Sequence, residues 1–409
     1  MHVSGSGRGR RRRGRLGLTG SAGLAAVLLA ASTAPAAQGA TATEAESAAE
    51  SAAAPAAVAR PQQADSLQQQ VDAIHDTGAV GVSAEVTAPG TRDTARAGTA
   101  ETGTRRPMPR DGRFRIGSAT KTFTAAVVLQ LVGEGRLSLA DTVEDWLPGV
   151  VRGNGNDGSR ITVRQLLQHT SGVPDVLSEI PSLNSPDGYQ AERLRTYSPE
   201  QLVELAMRHP PEFAPGTDWS YSNTNYVLAA MIVHKVTGRS WAREVNDRII
   251  RPLELRDTST PGAFPFIRGP HAHGYTAFGT GTSVDVTTLD PSMAVGSGAV
   301  ISTTHDLTRF YSALLGGRLL APAQLDELTA TVPAPELGVR YGLGVGEIPL
   351  TCGGTYFGHR GELLGYRTWA GATADGTRTA VVYVTSDGGP RTEDAMRALV
   401  DRELCRKRS

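Results

Sequence analysis

The stretch RIGSATKTFTAAVVLQLVGEG, residues 115–135, decides the fold and places the chemistry. A short extended piece leads into Gly117, a run of helix formers with an apolar face follows, and two glycines mark its end. Ser118 and Lys121 therefore fall in the first turn, on one helical face. A serine hydroxyl becomes nucleophilic when a neighbouring base takes its proton, and a buried lysine with a lowered pKa can act as that base.

Lysine is scarce in this chain, which makes Lys121 informative. The sequence has 41 basic residues, and only three of them are lysine: Lys121, Lys235 and Lys407. Only Lys121 has a serine three residues before it. Because arginine does not release its proton, a lone interior lysine indicates proton transfer. A simpler interpretation, in which Ser118 caps the helix and Lys121 is solvated, stays open at this point.

A Tyr-x-Asn pair, Tyr221 and Asn223, precedes the next apolar helix. A loop at a helix entry presents the phenol and the amide in the same direction. Beside Lys121 the phenol would have a pKa below its usual value of about 10 and could serve as general base. The amide could hold both a substrate carbonyl and the lysine. Tyr-Ser-Asn is also an ordinary helix-entry turn, so the pair alone does not decide.

The third motif is FGHRGE, residues 357–362, on or beside a predicted strand. Glycines flank His359, and they would allow a bound ligand to approach the strand edge closely. A single histidine is more often structural. The sequence has no G-x-S-x-G, H-E-x-x-H or C-x-x-C motif, and His271 and His273 are too isolated to indicate a metal site.

The beginning of the chain has the pattern of an export signal. Arginines crowd residues 8–15, an apolar segment covers 16–31, and small residues at 34–36 offer an A-x-A cleavage site. We expect residues 1–36 to be a secretory signal peptide, with general and twin-arginine export both open. Residues 37–64 are predicted to be a disordered linker or pro-segment. The expected location is outside the cell, at the wall, with no membrane span after processing.

Charge and length narrow the class of protein. Without its first forty residues, which hold six arginines and no acid, the chain has 35 basic and 41 acidic residues. The resulting net charge of about −6, which is 35 minus 41, argues against nucleic acid as a partner. The part from residue 65 onward is long enough for one large domain or two intimate ones.

The order of predicted elements indicates an α+β fold. Strands are predicted at 79–87, 94–98, 341–346, 356–358, 366–372 and 379–385. Helices are predicted from 118 and at 66–76, 162–169, 199–208, 223–237, 240–250, 304–315 and 390–404. We therefore expect an antiparallel sheet formed from both termini and flanked by helices. In this interpretation 65–117 and 300–409 form an α/β half, 118–299 forms an inserted helical half, and the site lies between them.

Cys352 and Cys405 are the only cysteines. In an exported chain an even pair predicts one disulfide, whose stabilisation would be ~4 kcal/mol if it acts through chain entropy. Two separate buried thiols are the alternative.

The three motifs, in this order and at these separations, resemble those of the serine β-lactamase-like superfamily. The likeness is strongest to the secreted serine D-alanyl-D-alanine carboxypeptidases of its class C-like branch, and it covers roughly 65–405. The flanking stretches ITVRQLLQHTSG, FAPGTDWSYSNTNYVLAAMIVHKVTG and AVISTTHDLTRFYSALLGG also fit. The resemblance implies that Ser118 is acylated and that Lys121 and Tyr221 share its proton. It also implies that Asn223 orients the substrate amide and that no metal or cofactor is needed.

On the substrate side, the resemblance implies that His359 takes the place of a lysine and that backbone N–H groups of Ser118 and Glu362 form an oxyanion hole. The motif continues through Arg360, Gly361 and Glu362, which we also expect to contact substrate. The related carboxypeptidases carry hydroxyl residues at two of these positions, and those hydroxyls hold a peptide carboxylate. Glu362 would repel that carboxylate unless Arg360 turns inward.

We therefore expect a secreted, monomeric serine hydrolase that works through an acyl-enzyme. The leading expectation is a D-Ala-D-Ala carboxypeptidase that acts on peptidoglycan stem peptides and is acylated by β-lactams. An esterase or other amidohydrolase with the same nucleophile, acting on small esters or amides, is the first alternative. A non-catalytic module that binds wall fragments is the second.

Overall fold

The computed structural model describes residues 65–406, which lie within one compact unit, Gln62–Ser409. The predicted signal peptide at 1–36 and linker at 37–64 lie outside the described residues. Among those that are described, no helix combines the length and the apolar character needed to cross a membrane.

An eight-stranded antiparallel sheet organises the described residues, with the strand order β2-β1-β14-β13-β12-β11-β10-β9. Its strands are Gly81–Ala88 (β1), Thr91–Gly98 (β2), Val332–Ala334 (β9), Val339–Tyr341 (β10), Gly346–Pro349 (β11), Thr355–Leu363 (β12), Tyr366–Thr373 (β13) and Thr379–Val384 (β14). Six short strands form three separate pairs: Phe114–Arg115 (β3), Arg152–Gly153 (β4), Asn156–Asp157 (β5), Tyr275–Thr276 (β6), Val284–Asp285 (β7) and Ile301–Ser302 (β8). The α+β class and the sheet built from both ends are confirmed.

Helices cover both faces of the sheet, as the burial of β14 shows. All six of its residues are buried, as expected for a strand covered on both sides. Val382 and Val384 pack in one apolar cluster with helices of the two chain ends, while Val381 and Tyr383 belong to the larger cluster on the other face.

Helices connect the strands of the sheet along the chain, and one helix lies at each end of the described residues. They are Leu67–His75 (α1), Thr120–Gly133 (α2), Val143–Trp146 (α3), Val163–Gln168 (α4), Pro181–Asn184 (α5), Pro186–Glu192 (α6), Pro199–Ala206 (α7), Thr224–Thr237 (α8), Trp241–Val245 (α9), Thr304–Leu315 (α10), Pro322–Thr329 (α11) and Pro390–Cys405 (α12). α2 and α8 are buried along most of their length, since nearly every side chain on them is apolar or small. These two helices carry or border the first two motifs.

One predicted strand is wrong. The sequence Tyr341–Gly346, expected to be a single strand, ends β10 at Tyr341, turns at residues 342–345 and begins β11 at Gly346. Gly344 has a φ of +78°, a conformation that side chains other than glycine rarely adopt. At Gly342 a Cβ would lie 2.2 Å from the carbonyl oxygen of Leu328, so the chain passes close to its neighbour there. Gly342 and Gly344 are therefore both needed for this turn.

The predicted disulfide is confirmed. Cys352 and Cys405 are bonded, with their Cα atoms 5.7 Å apart. The bond joins the turn between β11 and β12 to the last residue of α12, so it ties the chain end to the strand that carries the third motif.

Candidate active site

Ser118 lies in a 3₁₀ turn, Gly117–Ala119, that leads directly into α2. The residue at the cap position of α2 is Ala119, and no side chain caps the helix. The hydroxyl of Ser118 is therefore free of a capping role, and the simple helix-cap interpretation is wrong. The turn is fixed from behind because the backbone N–H of Ile116 donates to the carbonyl of Val300 at 3.0 Å.

Lys121 is completely buried, so the interpretation as a solvated residue is also wrong. Its Nζ lies 3.1 Å from Ser118 Oγ, 2.6 Å from Asn223 Oδ1 and 3.0 Å from the carbonyl oxygen of Ser297. Burial disfavours the ammonium form and lowers the pKa of Lys121 to about 7, although the negative charge of Asp175 acts in the opposite direction. The predicted lowering of this pKa is confirmed.

Tyr221 lies beside Lys121, with Nζ 4.7 Å from the centre of the tyrosine ring. The predicted fall in the pKa of Tyr221 is wrong. Burial raises the pKa of the phenol, and the hydrogen bond to Ser118 lowers it by less than burial raises it. The phenol is therefore neutral near pH 7. The prediction considered only the neighbouring lysine and left out the cost of burying a phenolate.

Asn223 stands at the cap position of α8 but does not cap it with its side chain. Its Oδ1 accepts the short hydrogen bond from Lys121, and its Nδ2 donates to Asp175 Oδ2 at 3.1 Å. The ordinary helix-entry interpretation of the Tyr-x-Asn pair therefore does not account for where this amide points.

His359 enters the site from β12 and is buried. Its Nδ1 is hydrogen-bonded to the carbonyl oxygen of Arg360, so Nδ1 carries the proton, and Nε2 accepts from the Tyr341 hydroxyl at 2.8 Å. Burial and the nearby Lys121 charge lower the pKa of His359 to about 3. The imidazole is neutral, so this position supplies no positive charge.

The strand carrying His359 presses directly against the turn of Ser118. A Cβ on Gly361 would lie 2.0 Å from the carbonyl oxygen of Ile116, and one on Gly117 would lie 2.5 Å from the backbone nitrogen of Glu362. The close approach that the sequence analysis assigned to a ligand is thus made, at Gly361, by the protein itself. The backbone segments of Ser118 and Glu362 meet at this junction.

Arg360 and Glu362 form part of an ion-pair network on the wall of the site. Arg360 pairs with Glu362 at 2.8 Å and with Glu393 at 3.0 Å, and Glu362 also pairs with Arg367 at 3.1 Å. Trp369 Nε1 donates to the same Glu393 oxygen at 2.8 Å. The charge of Arg360 is therefore already shared between two carboxylates.

A cleft of about 490 Å³ opens in front of Ser118. Its lining consists of Ser118, Tyr221, Glu336, Leu337, Val339, Tyr341, Gly346, Ile348, Gly358, His359, Arg360, Glu362, Trp369, Glu393, Asp394 and Arg397. Four carboxylates and two guanidinium groups are among these residues, and the two guanidinium groups pair with carboxylates of the same wall. The cleft therefore has an excess of negative charge over an apolar and aromatic floor.

Several contributors to the site are absent from the sequence predictions. Among them are Asp175, the backbone carbonyl of Ser297, Tyr341 and Glu336, whose carboxylate accepts from the backbone N–H of Tyr221 at 3.2 Å. None of them stands in a spacing pattern with the motif that it contacts, so only tertiary structure reveals them. Within residues 65–406 no three or more metal-binding side chains cluster.

Two of the solved structures that are similar to this chain match it over most of its length. The D-stereospecific amidohydrolase from Streptomyces sp. is 42% identical, with a TM-score of 0.76, over 83% of this chain and 98% of that one. The D-amino acid amidase from Ochrobactrum anthropi SV3, solved with D-phenylalanine, is 28% identical, with a TM-score of 0.73, over 83% and 96%.

Curated relatives match over shorter stretches. Penicillin-binding protein 4* from Bacillus subtilis (strain 168) is 28% identical over 249 residues, which is 58% of this chain and 52% of the relative. Esterase EstB from Burkholderia gladioli is 36% identical over 167 residues, or 39% and 41%. The chain thus spans about half or less of the length of the curated relatives that it matches. The family described as Beta-lactamase matches residues 57–405. With the sheet, the buried lysine and the serine in place, the chain belongs to the beta-lactamase family of serine hydrolases, together with penicillin-binding proteins and D-amino acid amidases.

Proposed function

We propose that this chain is a serine amidohydrolase that forms an acyl-enzyme at Ser118 and cleaves amides of D-amino acids with a free ammonium group. The observation that carries the acyl-enzyme is the contact between Lys121 Nζ and Ser118 Oγ at 3.1 Å in a fully buried position. An amine with a pKa of about 7 can accept a proton near neutral pH, which an ordinary exposed lysine cannot.

In the proposed first step, Lys121 takes the proton of Ser118 as Oγ attacks the substrate carbonyl carbon. A neutral amine has two N–H donors and one lone pair. The two donors are used by Asn223 Oδ1 and the carbonyl of Ser297, so the lone pair is left facing Ser118 Oγ. We expect the acylation rate to rise with pH through about 7 as this amine loses its proton.

Tyr221 has a different role in this proposal from the one expected from the sequence. Because burial keeps its phenol neutral, Tyr221 relays a proton instead of starting as the base. It passes the proton from Lys121 to the leaving nitrogen, and the carbon–nitrogen bond breaks to release the amine. Water then attacks the ester with the same base and returns Ser118 to its free form.

The negative charge that develops on the substrate carbonyl oxygen needs donors fixed in advance. We propose that the backbone N–H groups of Ser118 and Glu362 supply them, since their two segments meet at the contact of Gly117 with Glu362. His359 and Asn223 would line the path of the substrate amide, with His359 acting as a neutral group.

The charge of the cleft favours a cationic substrate over an anionic one. His359 is neutral, Arg360 is shared by Glu362 and Glu393, and the remaining carboxylates outnumber the guanidinium groups. A free ammonium group would be attracted to this wall, whereas a peptide carboxylate would be repelled. The D configuration is proposed from the two similar proteins whose names state a D-amino acid or D-stereospecific activity.

A D-Ala-D-Ala carboxypeptidase acting on peptidoglycan stem peptides is the second candidate, favoured by the similarity to penicillin-binding protein 4*. It needs the same acyl-enzyme but also a positive site for the terminal carboxylate. The pairing of Arg360 supports the amidohydrolase over this candidate. Export and wall association, proposed from residues 1–36, are compatible with either substrate.

The acyl-enzyme is tested by exposing native protein and Ser118→Ala to p-nitrophenyl acetate and to penicillin and measuring intact mass. We expect an acetyl or penicilloyl adduct on the native protein and none on the variant. Equal labelling of both would overturn the assignment of Ser118. Labelling by penicillin with no turnover of any ester or amide would favour the non-catalytic binding module.

The substrate class is tested by comparing kcat/KM for D-phenylalanine amide, its N-acetyl derivative, L-phenylalanine amide and a peptide ending in D-Ala-D-Ala. We expect the free D-amide to be preferred over the other three. Preference for the peptide would favour the carboxypeptidase, and equal turnover of N-acetylated and free amides would remove the role of the ammonium group.

A further inference from the structure

We propose that Asp175 is a positioning residue for this reaction, because it dictates which end of the Asn223 amide faces Lys121. Asp175 precedes the 3₁₀ helix Val176–Glu179 and lies outside all three sequence motifs. It lies outside the lining of the cleft and hydrogen-bonds Asn223, so its effect on Ser118 runs through Asn223 and Lys121.

Asp175 holds Asn223 at two points. Its Oδ1 accepts from the backbone N–H of Asn223 at 2.9 Å, and its Oδ2 accepts from Asn223 Nδ2 at 3.1 Å. The two ends of an amide side chain are similar in shape, so only their partners decide its orientation. A carboxylate accepts and never donates when ionised, so Nδ2 must face Asp175 and Oδ1 must face Lys121.

This orientation decides where the lysine lone pair points. With Oδ1 toward the amine, Asn223 takes up one N–H of Lys121, and the Ser297 carbonyl takes up the other. In the reversed orientation Nδ2 would donate to the amine and compete with Ser118 for the lone pair. The orientation set by Asp175 therefore leaves the base free for Ser118.

Asp175 also supplies the negative charge that acts on Lys121. The titratable groups around the amine come from several elements: Tyr221, Tyr226, His169, His359 and, farther out, Arg360. Both histidines are kept neutral by burial, and both tyrosines keep their protons because burial raises each phenol pKa. Asp175 partly offsets the cost of placing the ammonium form in this surrounding.

A purely structural role is the simpler alternative, since Asp175 also accepts from the backbone N–H of Leu177 at 3.4 Å as the cap of its short helix. Loss of a cap would lower stability and leave the pH dependence of acylation unchanged. The two roles therefore differ in a measurable quantity.

Two variants separate these roles. In Asp175→Asn the carboxylate charge is lost, and Asn223 can keep its side-chain hydrogen bond to position 175 only by reversing. The reversal turns its Nδ2 toward the lone pair of Lys121. In the double variant Asp175→Asn/Asn223→Asp every hydrogen bond can form again, because the amide introduced at position 175 would donate to the carboxylate introduced at position 223. That carboxylate would in turn accept from Lys121. The negative charge is then restored at position 223, whose side chain contacts the amine of Lys121 directly.

The experiment measures the acylation rate of each protein by p-nitrophenyl acetate between pH 5 and 9, together with its melting temperature. For Asp175→Asn we expect acylation about tenfold slower at the plateau and an acid limb moved down by roughly 1 pH unit. For the double variant we expect partial recovery of the rate and an acid limb above that of the wild type.

This proposal rests on the acyl-enzyme mechanism, and the wild-type protein separates the two failures. Absence of any release of p-nitrophenol that depends on Ser118 in the wild type would overturn the mechanism itself. Release that depends on Ser118, with acid limbs that coincide in all three proteins, would overturn the role of Asp175 alone. A variant that melts near the wild-type temperature and still shifts its acid limb excludes loss of fold as the cause.

Discussion

At the bottom of the site a single amine, Lys121 Nζ, is fully buried and contacts three oxygen atoms, whereas the wall holds several exposed charges that pair with one another. At the bottom, burial dominates, so Lys121 and His359 have lowered pKa values and Tyr221 a raised one. On the wall, the side chains of Arg360 and Glu362 are 43% and 48% exposed, and solvent screens their attraction.

The difference teaches which part of the site governs which property. A buried group that loses its partner cannot form a hydrogen bond with water instead. Substitutions at the bottom of the site should therefore change the rate of the chemical step. A charge on the wall can be hydrated when its partner is removed, so changes there should alter substrate choice more than chemistry.

The largest effect is expected for Lys121→Arg. The guanidinium keeps its proton at neutral pH, so the base is lost and kcat/KM should fall by about 10³-fold. Hydrolysis of p-nitrophenyl acetate measures this loss, and Lys235→Arg, at an exposed lysine of α8, is the matched control. Activity within tenfold of wild type would remove Lys121 from the proton transfer.

A smaller effect is expected for Glu362→Gln. It removes one negative charge beside Arg360 and Arg367, so the ratio of turnover for a peptide ending in D-Ala-D-Ala to that for D-phenylalanine amide should rise about fivefold, or roughly 1 kcal/mol. Competition between the two substrates measures the ratio, and Glu204→Gln, exposed on α7 and outside the cleft lining, is the control. An equal fall for both substrates would contradict a role in selection.

A change of about twofold in turnover is expected for Tyr341→Phe. The variant removes the hydroxyl that donates to His359 Nε2 and leaves a buried acceptor without its partner, at a cost of about 1–3 kcal/mol in the free energy of unfolding. Urea unfolding and steady-state rates measure the two quantities. If stability is unchanged, the hydrogen bond between these rings contributes little.

No change in turnover at 25 °C is expected for Cys352→Ser/Cys405→Ser, although the free energy of unfolding should fall by ~4 kcal/mol. The disulfide closes a segment with a sequence separation of 53 and lies outside the cleft lining. Unfolding curves compared with those of oxidised wild type measure the loss, and reduced wild type is the control that should match the variant. A drop in acylation in the folded variant would show that the bond also shapes β12.

The sequence predicted local relations well and long-range ones only through resemblance. Ser118 and Lys121 are one turn apart, so helix geometry alone predicts their contact. Tyr221 and His359 were candidates from local patterns, but their roles beside Ser118 were implied by the resemblance to a family, because spacing along the chain says little about distance across the fold. Asp175 had no such pattern, and it meets Lys121 only through the amide of Asn223.

The failed predictions have physical causes. The pKa of Tyr221 was expected to fall because the sequence reveals a neighbouring cation but not the depth of burial. The strand at 341–346 was expected because alternating apolar residues resemble a strand, yet Gly344 adopts a positive φ and turns the chain. In both cases the deciding quantity depends on what the segment packs against.

The close backbone contact between the Ser118 turn and β12, at Gly117 and Gly361, has a consequence for laboratory evolution of this protein. Main chain meets main chain there without an intervening side chain, so any replacement at either position would force the serine turn away from the strand. Libraries aimed at new substrates should keep both glycines fixed and randomise Glu336, Glu362 and Asp394 instead. New selectivity on this scaffold would then come from altered charges at the mouth of the cleft, while the nucleophile keeps its place.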